Sequence, residues 1–125
     1  MSQWAYAGCA LVLAGVLFVA LGLPLIRGRV PRNSFYGYRI PTTMHDDRVW
    51  YPVNTMMGLW LVWAGSLAAV IGALLLLLRN RSDAARLVLG IGVLALFLCL
   101  AMGIYRGWRL ARAIDAEIHR TDLET

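Results

Sequence analysis

Three stretches of this chain, at about residues 4–26, 55–78 and 87–105, contain no arginine, histidine, aspartate or glutamate. Each is long enough to cross the roughly 30 Å of hydrocarbon in a bilayer as a helix. A polypeptide backbone in lipid must satisfy its own hydrogen bonds, so the helix is the form such runs take. Overall, 60% hydrophobic residues and a mean hydropathy of +0.65 exceed what a soluble core of 125 residues needs. The expected fold is all-α and integral to the membrane: three transmembrane helices, an ordered interfacial loop between the first two, and a C-terminal amphipathic helical extension. One membrane domain would span 1–125, with a motif loop at 27–54 and a cytoplasmic helical tail at 106–125. Only mild polar residues such as Cys9, Ser66 and Cys99 interrupt the spans. A cleaved signal peptide fits the first run poorly, because Met1-Ser2-Gln3 lacks a basic n-region and the run is too long.

Orientation follows from the arginines. Arg27, Arg29, Arg32, Arg39 and Arg48 of the first loop and Arg106, Arg109 and Arg112 of the tail would share one side, against Arg79, Arg81 and Arg86 on the other. The richer side is expected in the cytoplasm, which puts the N-terminus outside and the C-terminus inside. All 12 basic side chains are arginine. Guanidinium forks suit phosphate and carboxylate, but a chain this rich in Ala, Gly, Leu and Arg also reads as the product of a GC-rich genome. A net charge of +5 needs no partner beyond anionic headgroups of the bilayer, and nothing points to nucleic acid.

Gly8, Gly15 and Gly22 recur at heptad spacing in the first span, as Gly58, Gly65 and Gly72 do in the second. Small-residue seams let backbones approach closely in lipid, so these helices are expected to pack antiparallel with a left-handed crossing. Cys99, Gly103 and Gly107 suit a close contact of the third helix near its cytoplasmic end. Pro24 predicts a kink or an early stop in the first helix. Cys9 and Cys99 are out of disulfide reach of each other in this topology and read as small hydrophobes. Past Tyr105, the apolar positions Ile104, Trp108, Ala111, Ile114 and Ile118 keep helical spacing. The third helix is therefore expected to run on, either as a docking face for a cytoplasmic regulator or against the headgroups or its own loop.

The polar and aromatic residues concentrate between the first two spans, as Pro31-Arg32-Asn33, Tyr36-Gly37-Tyr38-Arg39-Ile40-Pro41, Trp50 and Asn54. Pro31 and Pro41 make residues 30–41 non-helical, and Gly37 marks a turn. Thr43 with Asp46, or Asp46 or Asp47 itself, is positioned to cap a helix running through Trp50, which Pro52 would perturb. Two readings are open. In one, Arg32, Asn33, Tyr38, Arg39, Trp50 and Asn54 bind a ligand or partner, with the guanidiniums and amides gripping a phosphate or carboxylate and the aromatic rings walling it in. In the other, Arg39 pairs with Asp46 or Asp47 and the two amides satisfy loop carbonyls, so that an irregular segment survives beside lipid. Pro31, Gly37 and Pro41 are structural in both.

The order Pro-Arg-Asn, Gly-Tyr-Arg-x-Pro, then Trp-x-x-x-Asn entering a membrane helix resembles the SdpI family of small bacterial membrane proteins, over approximately Leu23 to Leu78. The resemblance implies a multi-pass protein of the bacterial inner membrane, associated with immunity to a secreted killing peptide and in some members with signalling its presence. It brings no catalytic residues, and the extra membrane segments of longer relatives are not seen. The expected function is non-enzymatic binding of a toxin peptide, a lipid or a membrane-protein partner through the motif loop. The alternatives are a structural accessory subunit of a larger complex and an enzyme on a lipid-linked phosphate substrate. His45-Asp46-Asp47 is thin support for a metal or for acid–base chemistry, since adjacent carboxylates diverge and His119 lies far off in the tail. No cofactor, metal or catalytic residue is expected, and nucleophile constellations, phosphate-cradling loops and a transmembrane acid relay are missing.

Overall fold

The computed structural model describes residues 2–125, and the apolar runs are helical within them. Helix α1 spans Gln3–Ile26, a short α2 spans Pro41–His45, α3 spans Asp47–Leu77 and α4 spans Ser82–Glu124; no strand occurs among the described residues. α1, α3 and α4 are each long and apolar enough to cross a membrane. Outward-facing Leu13, Leu17, Trp63, Phe97 and Leu98 are what a lipid-facing surface requires.

The ends follow local chemistry. Ser2 caps α1, its Oγ accepting from the Ala5 N–H at 3.3 Å. At the other end, Gly28 takes φ 64°, its N–H reaches the Leu25 carbonyl, and the Arg29 N–H reaches the Pro24 carbonyl. This is a Schellman closure, which satisfies carbonyls that a helix end otherwise leaves bare. Pro24 stands in the last turn, so α1 stops only two residues beyond it. Asp46 caps α3, its carboxylate accepting from the Arg48 N–H at 2.8 Å. Within the motif loop of 27–54, residues 27–40 are the non-helical part, ending one residue earlier than expected because Pro41 opens α2, and Trp50, Pro52 and Asn54 lie inside α3, the helix expected to run through Trp50. The third span and the tail are one uninterrupted helix, which also takes in Ser82 to Arg86 ahead of the apolar run.

α1 and α4 both pack on α3 and hardly touch each other. Between α1 and α3, Gly8 faces Gly72, Gly15 faces Gly65 and Gly22 faces Gly58, in antiparallel register. A Cβ on Gly8 would come within 2.8 Å of the Gly72 carbonyl oxygen, and one on Gly22 within 2.7 Å of the Gly58 carbonyl oxygen. The two backbones touch, and in lipid that contact replaces the hydrophobic effect as the source of association. α4 uses a different device, laying Gly103 on the Trp60 ring and Gly107 against Met57 and Tyr38. Cys99 is half-buried beside them, and both cysteines are free thiols.

Beyond Tyr105, α4 stays on the protein. Val49, Val53 and Ala111 are fully buried, with Tyr38, Ile40, Met57, Leu110, Ile114 and Ile118 packed around them. Arg48, clamped on Asp46, also lies 3.7 Å from Asp122. The tail thus lies on α2 and on the first turns of α3. Ile104 and Trp108, expected on the same apolar stripe, face outward instead, because Gly103 and Gly107 turn the small side of α4 toward α3 at that level.

Candidate functional site

The loop-bearing end of the bundle collects every motif residue. Asn33 uses its whole amide: Oδ1 accepts from the Phe35 and Tyr36 N–H groups at 2.8 and 2.7 Å, and Nδ2 donates to the Pro31 and Tyr36 carbonyls at 2.7 and 3.0 Å. This closes the turn 31–36 on a single side chain. Asn54, 2% exposed, reaches out of α3: Oδ1 accepts from the Tyr38 N–H at 2.6 Å and Nδ2 donates to the Trp50 carbonyl at 2.9 Å. Trp50, fully buried, donates from Nε1 to the Val30 carbonyl at 2.7 Å. Thr43, also fully buried, donates to the Tyr38 carbonyl at 2.7 Å and accepts from the Ile40 N–H at 3.0 Å, which caps α2. Pro41 begins that short helix, where its missing N–H is not needed.

Gly37 sits between these anchors with φ 116°; a Cβ there would lie 2.7 Å from Asn54 Oδ1 and 2.9 Å from the Trp50 ring. Glycine is required twice over, by the backbone angle and by the approach of Asn54. The Tyr38 hydroxyl donates to the Ile104 carbonyl at 2.8 Å and so fastens the loop to α4. Burial pushes the phenols of Tyr36 and Tyr38 up, so both stay neutral at physiological pH. The Tyr36 hydroxyl is buried without a hydrogen-bond partner, and nothing in the surrounding residues accounts for it.

The two motif arginines are held apart. Arg32 donates from Nε to Asp47 at 2.7 Å and from Nη1 to the Met44 carbonyl at 2.8 Å, tying the loop to α2 and to the first residue of α3. Arg39 is exposed and donates to the Ser34 carbonyl. The pairing of Arg39 with Asp46 or Asp47 does not form, since Arg48 takes Asp46 and Arg32 takes Asp47. Arg48 holds the Asp46 carboxyl below its ordinary value, through a side-chain hydrogen bond first and a backbone one second. Nor do the motif rings stack on guanidiniums; those contacts occur on α4, Arg109 over Tyr105 at 5.9 Å and Arg112 over Trp108 at 5.2 Å. No three His, Cys, Asp or Glu side chains group as metal ligands among the described residues.

Thr43 and Gly28 are the anchors that sequence reasoning underused. The signal for Gly28 was a glycine just past an apolar run, which is the C-terminal signature of a helix. Thr43 had a weaker one, three residues after the loop's last extended position. With three helices long and apolar enough to cross a membrane, the fold is that of a helical multi-pass membrane protein, and its loop between the first two spans is fastened at both ends by its own motif. The family model of the SdpI/YfhL protein family matches residues 29–106, from the loop through α2 and α3 to the end of the third span. That is more than half of the chain, and the chain belongs to this family. No curated protein and no solved structure matches it.

Proposed function

We propose that this chain is a non-enzymatic immunity or sensing protein of the bacterial cytoplasmic membrane, which binds a membrane-active killing peptide on the face built by the motif loop. One observation carries the reading. The amides of Asn33 and Asn54, the Trp50 indole and the Thr43 hydroxyl are all bonded within the loop and its anchoring helices, while the Phe35 ring is 92% exposed and the exposed Arg39 makes a single bond, to the Ser34 carbonyl. Groups committed in this way supply a rigid mount, not a reacting centre. A rigid mount presenting one aromatic ring and one permanent cation suits recognition of a peptide at headgroup level. The loop shares its end of the bundle with Arg106, Arg109 and Arg112, and this arginine-rich end is the cytoplasmic one by the positive-inside rule.

The test is survival. Sensitive bacteria challenged with candidate killing peptides are expected to live when they express the chain and to die when they express Phe35→Ala or Arg39→Ala at equal membrane abundance. If the chain protects against no candidate peptide, the immunity reading falls. Recovery of the chain in a fixed stoichiometry with a larger membrane complex would move the assignment to an accessory subunit.

A further inference from the structure

The face of α4 turned away from the motif loop's anchor carries a second feature, which neither the family assignment nor the loop explains. A cavity of about 450 Å³ lies between α3 and α4, walled by Met56, Leu59, Trp60, Trp63 and Cys99. A second, of about 540 Å³, is walled by Met56, Met102, Tyr105, Arg106, Arg109 and neighbouring apolar residues. Met56 belongs to both, and α3 and α4 run antiparallel, with Gly92 against Ile71, Gly103 against Trp60 and Gly107 against Met57. The two are therefore successive stretches of one groove. From Cys99 to Arg109 a helix rises about 15 Å, half of the roughly 30 Å hydrocarbon thickness. The groove has the depth of one leaflet.

Its chemistry changes along that depth in the order a phospholipid does. The deep part is aliphatic, thioether and indole; Tyr105 marks the boundary; Arg106 and Arg109 stand at the mouth, just past the last residue of the apolar run. Neither arginine has an acidic partner among the described residues; of the tail's four acids, Asp115 pairs with His119, Glu117 with Arg120 and Asp122 with Arg48, and Glu124 stands at the far end of α4. Two permanent cations left uncompensated at the mouth of an apolar groove ask for an anion that is attached to a hydrocarbon chain. A wholly apolar partner helix would meet the apolar part but leave the charge unanswered, and free phosphate would do the reverse.

We infer that the α3–α4 groove is a binding site for one anionic phospholipid, its acyl chain along Met56, Trp60, Trp63 and Cys99 and its phosphate between Arg106 and Arg109. The site is separate from the loop face and does not depend on the immunity reading.

The experiment is native mass spectrometry of the full chain in a neutral detergent, with equal amounts of phosphatidylglycerol and phosphatidylcholine carrying the same acyl chains. One phosphatidylglycerol is expected to be retained in preference to phosphatidylcholine. The double variant Arg106→Gln/Arg109→Gln is expected to lower that preference by about tenfold or more, as loss of two interfacial arginine contacts implies. Arg112→Gln, whose guanidinium lies on Trp108 outside the groove, and Arg79→Gln at the other end of the bundle are expected to leave it unchanged. Equal retention of the two lipids overturns the assignment, and so does an equal loss in the control variants, which would mean diffuse charge attraction. Displacement of the lipid by millimolar inorganic phosphate also overturns it, because the apolar groove would then contribute nothing.

Discussion

Asn33 and Asn54 do different work with the same side chain. Asn33 serves a turn at the surface, where water can replace part of what it supplies; Asn54 serves a loop from inside a helix, where water has no access. Asn54→Ala leaves the Tyr38 N–H without its acceptor and is expected to cost about 1–3 kcal/mol, read as lost stability in thermal unfolding followed by circular dichroism in detergent. Gly37→Ala would be at least as severe, because the new methyl meets Asn54 and the Trp50 ring while the backbone stays at φ 116°. Arg39→Ala removes one contact from an exposed side chain and is expected to cost under about 1 kcal/mol. That contrast makes Arg39 a clean probe of function and Asn54 a probe of folding. The motif letters were legible in sequence, but their assignment was not. Trp50 and Asn54 lie far from Val30 and Tyr38 along the chain, and nothing local says that an indole and an amide on one helix will close a loop upstream.

The three long helices were visible as elements because lipid leaves an apolar run no alternative to the helix. Their ends were less visible, since capping depends on which of several candidates wins. Of Thr43, Asp46 and Asp47, Asp46 caps α3, Thr43 caps α2 and Asp47 answers Arg32. The Asp46 carboxyl is held low, so its contribution is present above the ordinary value of 3.8 and is lost as pH falls through the lower folded value. His119 runs the other way. The Asp115 carbonyl and then its carboxylate raise His119 above 6.5, so its contribution is full below 6.5 and fades as pH rises through the folded value. An NMR titration should place the His119 midpoint above 6.5, and Asp115→Asn should bring it part of the way back. The glycine seam gives the strongest test at this scale. Gly15→Ala puts a methyl into the Gly65 backbone and is expected to cost about 1–3 kcal/mol through overpacking. Distance measurements between spin labels on α1 and α3 should show the two helices moving apart.

At the scale of the whole molecule, the arrangement is asymmetric. α3 is the spine, α1 is joined to it backbone to backbone, and α4 is joined through glycine against large side chains. The second kind of contact leaves room beside it, and the lipid groove occupies that room. The loop-bearing end is also the thicker one, because α2 and the tail of α4 add a small core around Val49, Val53 and Ala111. A reporter fused after Arg39 is expected to read out as cytoplasmic and one fused after Arg81 as periplasmic. The opposite pattern would reverse the side on which a peptide meets the loop, while leaving the bonds within the loop as they are.

By itself the sequence determined the class of fold, the number of spans, the family and the glycine faces, because each depends on local composition or short periodicity judged against one solvent, the bilayer. The tertiary structure decided where those faces meet, which acid each arginine keeps, and how the motif divides between groups turned inward to hold the loop and groups left outward. These outcomes rest on contacts between residues distant in the chain, where several partners of equal chemistry compete and only the packing of α3 against its neighbours selects among them.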